Sequence, residues 1–211
     1  MPVPVATTAA ISSKRLMDFW FKGYVPNQPL KRENFMFWYK STPELDDQLR
    51  AEFKDDAERA LVDKDFRDCM TSTGEGTVAL TLLLDQIPRN IFRSSPRPFT
   101  EFDPLARQVV KEALAKKSCH SIHPFFRHFL YMPLMHSESV EDQAACVREF
   151  VQEYNEVEPA FKDMFNDCIA FAKAHEAVIQ KFGRFPHRNE VLGRMSTEAE
   201  KVHMESGGAR W

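Results

Sequence analysis

Thr77-Val78-Ala79-Leu80-Thr81-Leu82-Leu83-Leu84-Asp85-Gln86-Ile87-Pro88-Arg89-Asn90 is the stretch that decides the fold. Val78, Ala79, Leu80, Leu82, Leu83, Leu84 and Ile87 cover nearly every direction around a helical axis. A helix that is apolar all round is buried all round. The stretch therefore predicts a central helix over 77–87 with other helices packed about it. Pro88 disfavours helical geometry at Ile87, so the helix is expected to end there and to present Asp85 and Gln86 on its last turn. Polar side chains at the end of a buried helix are costly unless they satisfy one another or a ligand.

Outward from this helix, helical periodicity continues through most of the 211 residues. Glycine is sparse and β-branched alternation is nearly absent, so the fold class is all-α. Ser41-Thr42-Pro43-Glu44 reads as a helix start, with a capping hydroxyl, a proline tolerated in the first turn and a glutamate at the positive end. Leu45, Leu49, Phe53, Ala57, Ala60 and Leu61 then follow at spacings of three and four, the pattern of an outer, one-faced helix towards Val62. Further helices are expected at 14–21, 104–116, 124–132, 140–154, 159–182 and from 197, with a proline-containing loop around Pro26 and Pro29. Ser139 with Asp142, and Thr197 with Glu200, read as capping boxes. The expectation is a single domain of about eight antiparallel helices over 14–204. Residues 1–13 read as a disordered tail and 205–211 as a flexible one.

A net charge of −3 provides no basic field for nucleic acid or for an anionic membrane surface. No apolar run approaches the length that spans a bilayer. The four cysteines are widely spaced, without a CxxC pair, and suit a reduced, cytoplasmic protein. No cofactor is implied. Apolar helix faces allow a homodimer without demanding one.

A second polar sequence closes the last long helix: Gly183-Arg184-Phe185-Pro186-His187-Arg188-Asn189. Gly183 suits a left-handed C-cap, and Phe185 can anchor the turn in the core, delivering His187, Arg188 and Asn189 near helix ends. In the first motif Asp85 and Arg89 are four apart, as are Gln86 and Asn90. Asp85 can either tie off the helix end by fixing Arg89 or act as a general base, with Gln86 and Asn90 as donors to a ligand. His175 falls on an apolar stripe with Phe171, Val178 and Phe182, where a histidine is usually a satisfied core residue. His136 and Ser137 follow Pro133, and Ser137 is itself a possible helix cap. A Ser–His–Asp triad lacks a GxSxG elbow, and a metal site lacks HExxH or other short ligand spacing, so neither is adopted. Phe125, Phe126, Phe129 and Tyr131 are read as core.

Leu82 to Arg93, then Phe129-Leu130-Tyr131-Met132-Pro133-Leu134-Met135-His136-Ser137-Glu138, then Phe182 to Asn189 with Leu192-Gly193-Arg194, resemble a bacterial and fungal family. It is known only as domain of unknown function nine hundred and twenty-four. The likeness runs from about Leu16 to Glu200 and includes Asp18-Phe19-Trp20-Phe21. The acidic stretch between Tyr154 and Phe165 departs from it locally. The resemblance implies an all-helical, tetratricopeptide-like array of helical hairpins, and brings no established activity.

Arg89, Arg93, Arg184, Arg188 and Arg194 form a cationic constellation with His187. Planar guanidinium groups bind carboxylate or phosphate at two points, which makes a small anionic molecule the expected partner. The expected site is a pocket between helices with Asp85 and His187 as acid/base groups. Gln86, Arg89, Asn90, His136, Ser137, His175, Arg184, Arg188 and Asn189 are the expected ligand-binding residues. Whether a reaction follows is left open; if it does, proton transfer of a lyase, isomerase or hydrolase type fits. The alternatives are a tetratricopeptide-like protein-interaction module, in which the polar motifs only lock helices together, and a structural protein without a ligand.

Overall fold

In the computed structural model, which describes residues 3–22, 37–39, 42–116 and 122–208, no strand occurs among the described residues and ten α-helices lie wholly within them. The chain opens with α1 (Val5–Trp20), α2 (Pro43–Val62), α3 (Lys64–Met70), α4 (Gly74–Leu84) and α5 (Gln86–Ile91). A π-helical turn, Pro98–Phe102, leads into α6 (Asp103–Ala115). Then come α7 (Pro124–Met135), α8 (Val140–Glu156) and α9 (Pro159–Phe182), a 3-10 turn at Pro186–Arg188, and α10 (Glu198–Glu205). No helix among the described residues is long and apolar enough to cross a membrane.

The apolar run is the centre of the molecule. Every residue of α4 from Gly76 to Leu84 is buried, and the helix packs against α1, α2, α3, α5, α6 and α7. Successive helices joined by short turns also pack on each other, α7 on α8 and α8 on α9. Thr42 caps α2 by accepting from the Leu45 N–H, as its hydroxyl and the following Pro43 predict.

Three expectations are corrected. The tail expected over 1–13 is instead helical from Val5, with Ala9 and Ser12 buried beside Leu16. Alanine-rich sequence has high helix propensity, and a small buried side chain lets backbones approach closely, so a helix forms where few large apolar residues advertise one. The central helix breaks one turn early: α4 ends at Leu84, and Pro88 lies inside the first turn of α5. A proline there loses no hydrogen bond, because the first N–H groups of a helix have no partner within it. The helix count rises from about eight to ten because α3 and α5 stand as separate elements, the former begun by Asp63, which accepts from the Phe66 N–H. The proline loop expected around Pro26 and Pro29 lies outside the described residues, as do 209–211 of the expected C-terminal tail.

Gly76 is required by the turn from α3 into α4. A Cβ there would sit 2.1 Å from the Met70 carbonyl oxygen and 2.8 Å from Thr73 Oγ1. The first of these is backbone and cannot rotate away. Gly76→Ala is expected to cost about 3 kcal/mol, the upper end for overpacking. Chemical denaturation measures it, and a loss below about 1 kcal/mol would mean that the turn yields.

Candidate functional site: a buried Asp–His pair under a charged cleft

The break between α4 and α5 places Asp85 at the junction, where its carboxylate is 1% exposed. Its oxygens are fully engaged. Oδ2 accepts from Gln86 Nε2 at 2.5 Å, Oδ1 lies 2.7 Å from His136 Nδ1, and Arg89 Nη2 is 3.4 Å away. Burial opposes ionisation of Asp85, but His136, Arg89 and Gln86 together outweigh it and hold its pKa well below the usual carboxylate range. His136, the residue that ends α7, is pushed below its ordinary pKa by burial, with Arg89 and Arg188 acting in the same sense against Asp85. The imidazole is therefore neutral at pH 7. An ionised Asp85 only accepts, so the ring proton sits on Nδ1 and Nε2 carries the lone pair. Nε2 makes no hydrogen bond among the described residues.

Two guanidinium groups complete the network. Arg89 makes a two-point contact with Asp103, Nη1–Oδ1 2.8 Å and Nη2–Oδ2 3.1 Å. Asp103 begins α6 and is itself buried. Arg188 arrives from the far end of the chain. Gly183 ends α9 in the left-handed conformation, φ 69°, and Phe185 is buried with its N–H donating to Glu138 Oε1 at 2.8 Å. The 3-10 turn then brings Arg188 beneath α7, where Nη1 donates to the His136 carbonyl at 2.9 Å and lies 3.8 Å from Asp103 Oδ2. Its guanidinium is flanked by the rings of Phe185 and Phe99, with centroids at 4.5 and 4.7 Å. Burial and the neighbouring Arg89 push the pKa of Arg188 down to about 10. Its Nη2 makes no hydrogen bond among the described residues.

A cleft of about 500 Å³ opens over this network. His136, Asp103 and Arg188 form part of its lining, with Phe99 and Leu192 as apolar wall. Lys111 and Arg107 face it from α6, and Ser137, Glu138 and Asp142 from the junction of α7 and α8.

The expected site residues divide. Asp85, Gln86, Arg89, His136 and Arg188 come together, but Asp85 is bonded to His136 and not to His187. Residues this far apart in the sequence meet only by tertiary packing, and His187 instead faces Phe185, ring centroids 5.6 Å apart, outside the cleft lining. Burial and Arg188 push the pKa of His187 down to about 4. Ser137 lines the cleft, yet its hydroxyl donates to Asp142 at 2.7 Å and accepts from the Ser139 N–H at 3.2 Å. Asn90 bonds the Gln86 carbonyl and Arg93. His175 is buried with Nδ1 2.8 Å from the Phe171 carbonyl, while Phe171, on the same expected apolar stripe, is exposed. Arg184 pairs with Glu200 at 2.6 Å, and Asn189 bonds Ser196, Glu200 and Arg194. These last residues clamp α10 and the turn before it. Arg93 pairs with Asp46 and Arg194 with Glu138, so of the five expected arginines only Arg89 and Arg188 belong to the buried network.

Nothing local in the sequence marks Asp103, Asp142, Arg107, Lys111 or Phe99 as site residues, although all five line the cleft. Asp103-Pro104 carries a helix-start signature and Asp142 the pattern of a capping residue; neither pattern says that the carboxylate faces a cleft. The Thr197–Glu200 capping box is fully formed. At Ser139 only half forms: Ser139 Oγ accepts from the Asp142 N–H at 3.3 Å, whereas the Asp142 carboxylate turns to Ser137 and to Lys111 Nζ at 2.6 Å. Among the described residues no group of three or more His, Cys, Asp or Glu is placed to hold a metal ion.

None of the curated proteins matches this chain. A solved structure of a protein of unknown function from Agrobacterium tumefaciens is similar, with a TM-score of 0.76 and 28% identity over 94% of this chain and 99% of that one. The family model described as "Bacterial protein of unknown function (DUF924)" matches residues 16–208, which span the α4–α5 junction, the end of α7 and the turn after α9. The chain belongs to the DUF924 family.

Proposed function

We propose that the protein binds a small organic anion in the cleft over Asp85 and His136, and that His136 is the base that takes a proton from it. What carries this reading is the neutral imidazole held by a buried carboxylate through Nδ1, in a cleft that it shares with Arg188, Arg107 and Lys111. Arg188 Nη2 has a donor to spare, and among the described residues Arg107 makes one ion-pair contact, a long 3.7 Å approach to Asp142. These groups supply the attraction for the anion. A proton taken at Nε2 leaves an imidazolium facing the ionised Asp85, which stabilises it and fixes the ring orientation. The burial of the motif residues favours this reading over a peptide-binding groove, which would present its polar side chains outward.

Thermal unfolding against a panel of small carboxylates and phosphates tests the proposal. The midpoint of the wild type is expected to rise with at least one compound at millimolar concentration. Ligand at about 100 times its Kd stabilises by about 2.7 kcal/mol, a rise of several degrees in a chain of this size. Arg188→Ala is expected to abolish the rise, and His136→Gln to retain binding. A wild type that responds to no compound would reduce the network to a lock between helices.

A further inference from the structure

The charges around the cleft select among anions. Lys111 is paired with Asp142 at 2.6 Å and Arg194 with Glu138 at 2.7 Å, so each pair is neutral. Behind them Arg89 and Arg188 face the two carboxylates Asp85 and Asp103. Arg107 is then left over, and the described groups around the cleft hold one positive charge in excess. One negative charge completes the balance. A doubly charged phosphate would leave the site one charge negative, and the carboxylates of Asp103, Glu138 and Asp142, which all line the cleft, would repel it at short range. The free donors suit a flat two-oxygen group, since Arg188 Nη2 and the Arg107 fork are planar donors. Phe99 and Leu192 supply apolar wall for the rest of the molecule, and about 500 Å³ is within the usual range for a small-molecule site.

We propose that the ligand is a singly charged carboxylic acid with a short apolar arm, not a phosphate ester. This rests on the reading of the cleft as an anion site. Phenylacetate and benzylphosphonate have the same arm and differ in the charge of the head group at pH 8.5, which makes them the probes. In calorimetric titration of the wild-type protein at that pH, phenylacetate is expected to bind about ten-fold or more tightly than benzylphosphonate. Asp142→Asn raises the cleft charge by one and is expected to bring the two affinities within about three-fold. Lys111→Gln, at a largely exposed side chain, lowers the charge by one and is expected to widen the gap, which keeps the test open if the Asn variant folds poorly. Benzylphosphonate binding as well as phenylacetate to the wild type would overturn the carboxylate assignment and leave the anion site standing. Binding of neither probe, with inorganic phosphate and butyrate equally inert, would overturn both. A ratio unmoved by both substitutions would overturn the charge-balance argument.

Discussion

Asp103→Ala will destabilise the protein by about 3–5 kcal/mol, the cost of breaking a buried ion pair from one side. Asp103 is 3% exposed and is the two-point acceptor for Arg89. It also lies 3.8 Å from Arg188 Nη1. Without it, Arg89 would rely on Asp85, which already serves His136 and Gln86, and Arg188 on the more distant charges of Glu138 and Asp85. Arg188 shows the tension in the intact protein, because burial and Arg89 already depress its pKa to about 10. Asp85 remains 3.4 Å from Arg89 and softens the loss, so the lower end of the range is expected. Urea denaturation measures the change through the midpoint at constant slope. A loss below about 1 kcal/mol would show that the network is not what joins α5, α6 and the turn after α9. Arg89→Ala should cost less than Asp103→Ala, since it removes a cation from a site that retains Arg188.

Acidification between pH 6.5 and 5 is expected to weaken the fold before most carboxylates titrate. Burial pushes the pKa of His128 down to about 4, and burial, with His136 close by, pushes that of His175 down to about 3. Both residues are 3% exposed. In the unfolded chain a histidine titrates near 6.5, so within this window the unfolded state binds protons that the native state refuses. Stability then rises with pH: the contribution is fully present above about 6.5 and is lost as pH falls towards the folded values. At pH 5 each residue accounts for about 2 kcal/mol, and with His187, which burial and Arg188 also hold near 4, the three together account for about 6, or roughly a 15 °C fall in midpoint for a chain of this size; His136, likewise pushed below its ordinary pKa, acts in the same direction. Asp85 and Glu200, with pKa values held down in the native state, lose their contributions only at lower pH. Thermal scans of wild type and His175→Asn at pH 7 and 5 separate the two classes. The variant is expected to lose about a third of the pH sensitivity, and an unchanged wild-type midpoint would mean that these rings protonate in place.

Both predictions turn on contacts that cannot be read along the chain. Local patterns do predict much of the architecture. The run from Val78 to Leu84 is apolar on every side and forms the buried central helix, Thr42 caps α2, Gly183 ends α9 in the left-handed region, and Thr197 and Glu200 form their box. These features are determined within about four residues, the reach of a helical turn or a cap. The residues that form the polar motifs were likewise evident as a group, because an apolar helix cannot bury Asp85 or Gln86 without partners.

Partner choice followed a different logic. Five arginines and several carboxylates offer many pairings, of which the spacing of Asp85 and Arg89, four apart, predicts one. The fold keeps that pair at 3.4 Å but gives Arg89 its closest contact with Asp103 and sets Asp85 against His136, 51 positions away in the sequence. Arg188 bonds the backbone of His136 from 52 positions away. Like charges carry no label that distinguishes one acceptor from another. Composition and periodicity therefore suffice for the helices and for the presence of a polar centre, whereas the angle at which α4 breaks into α5, and the packing of α6, α7 and the last turn about it, select which carboxylate meets which cation and leave His136, not His187, beside the buried aspartate.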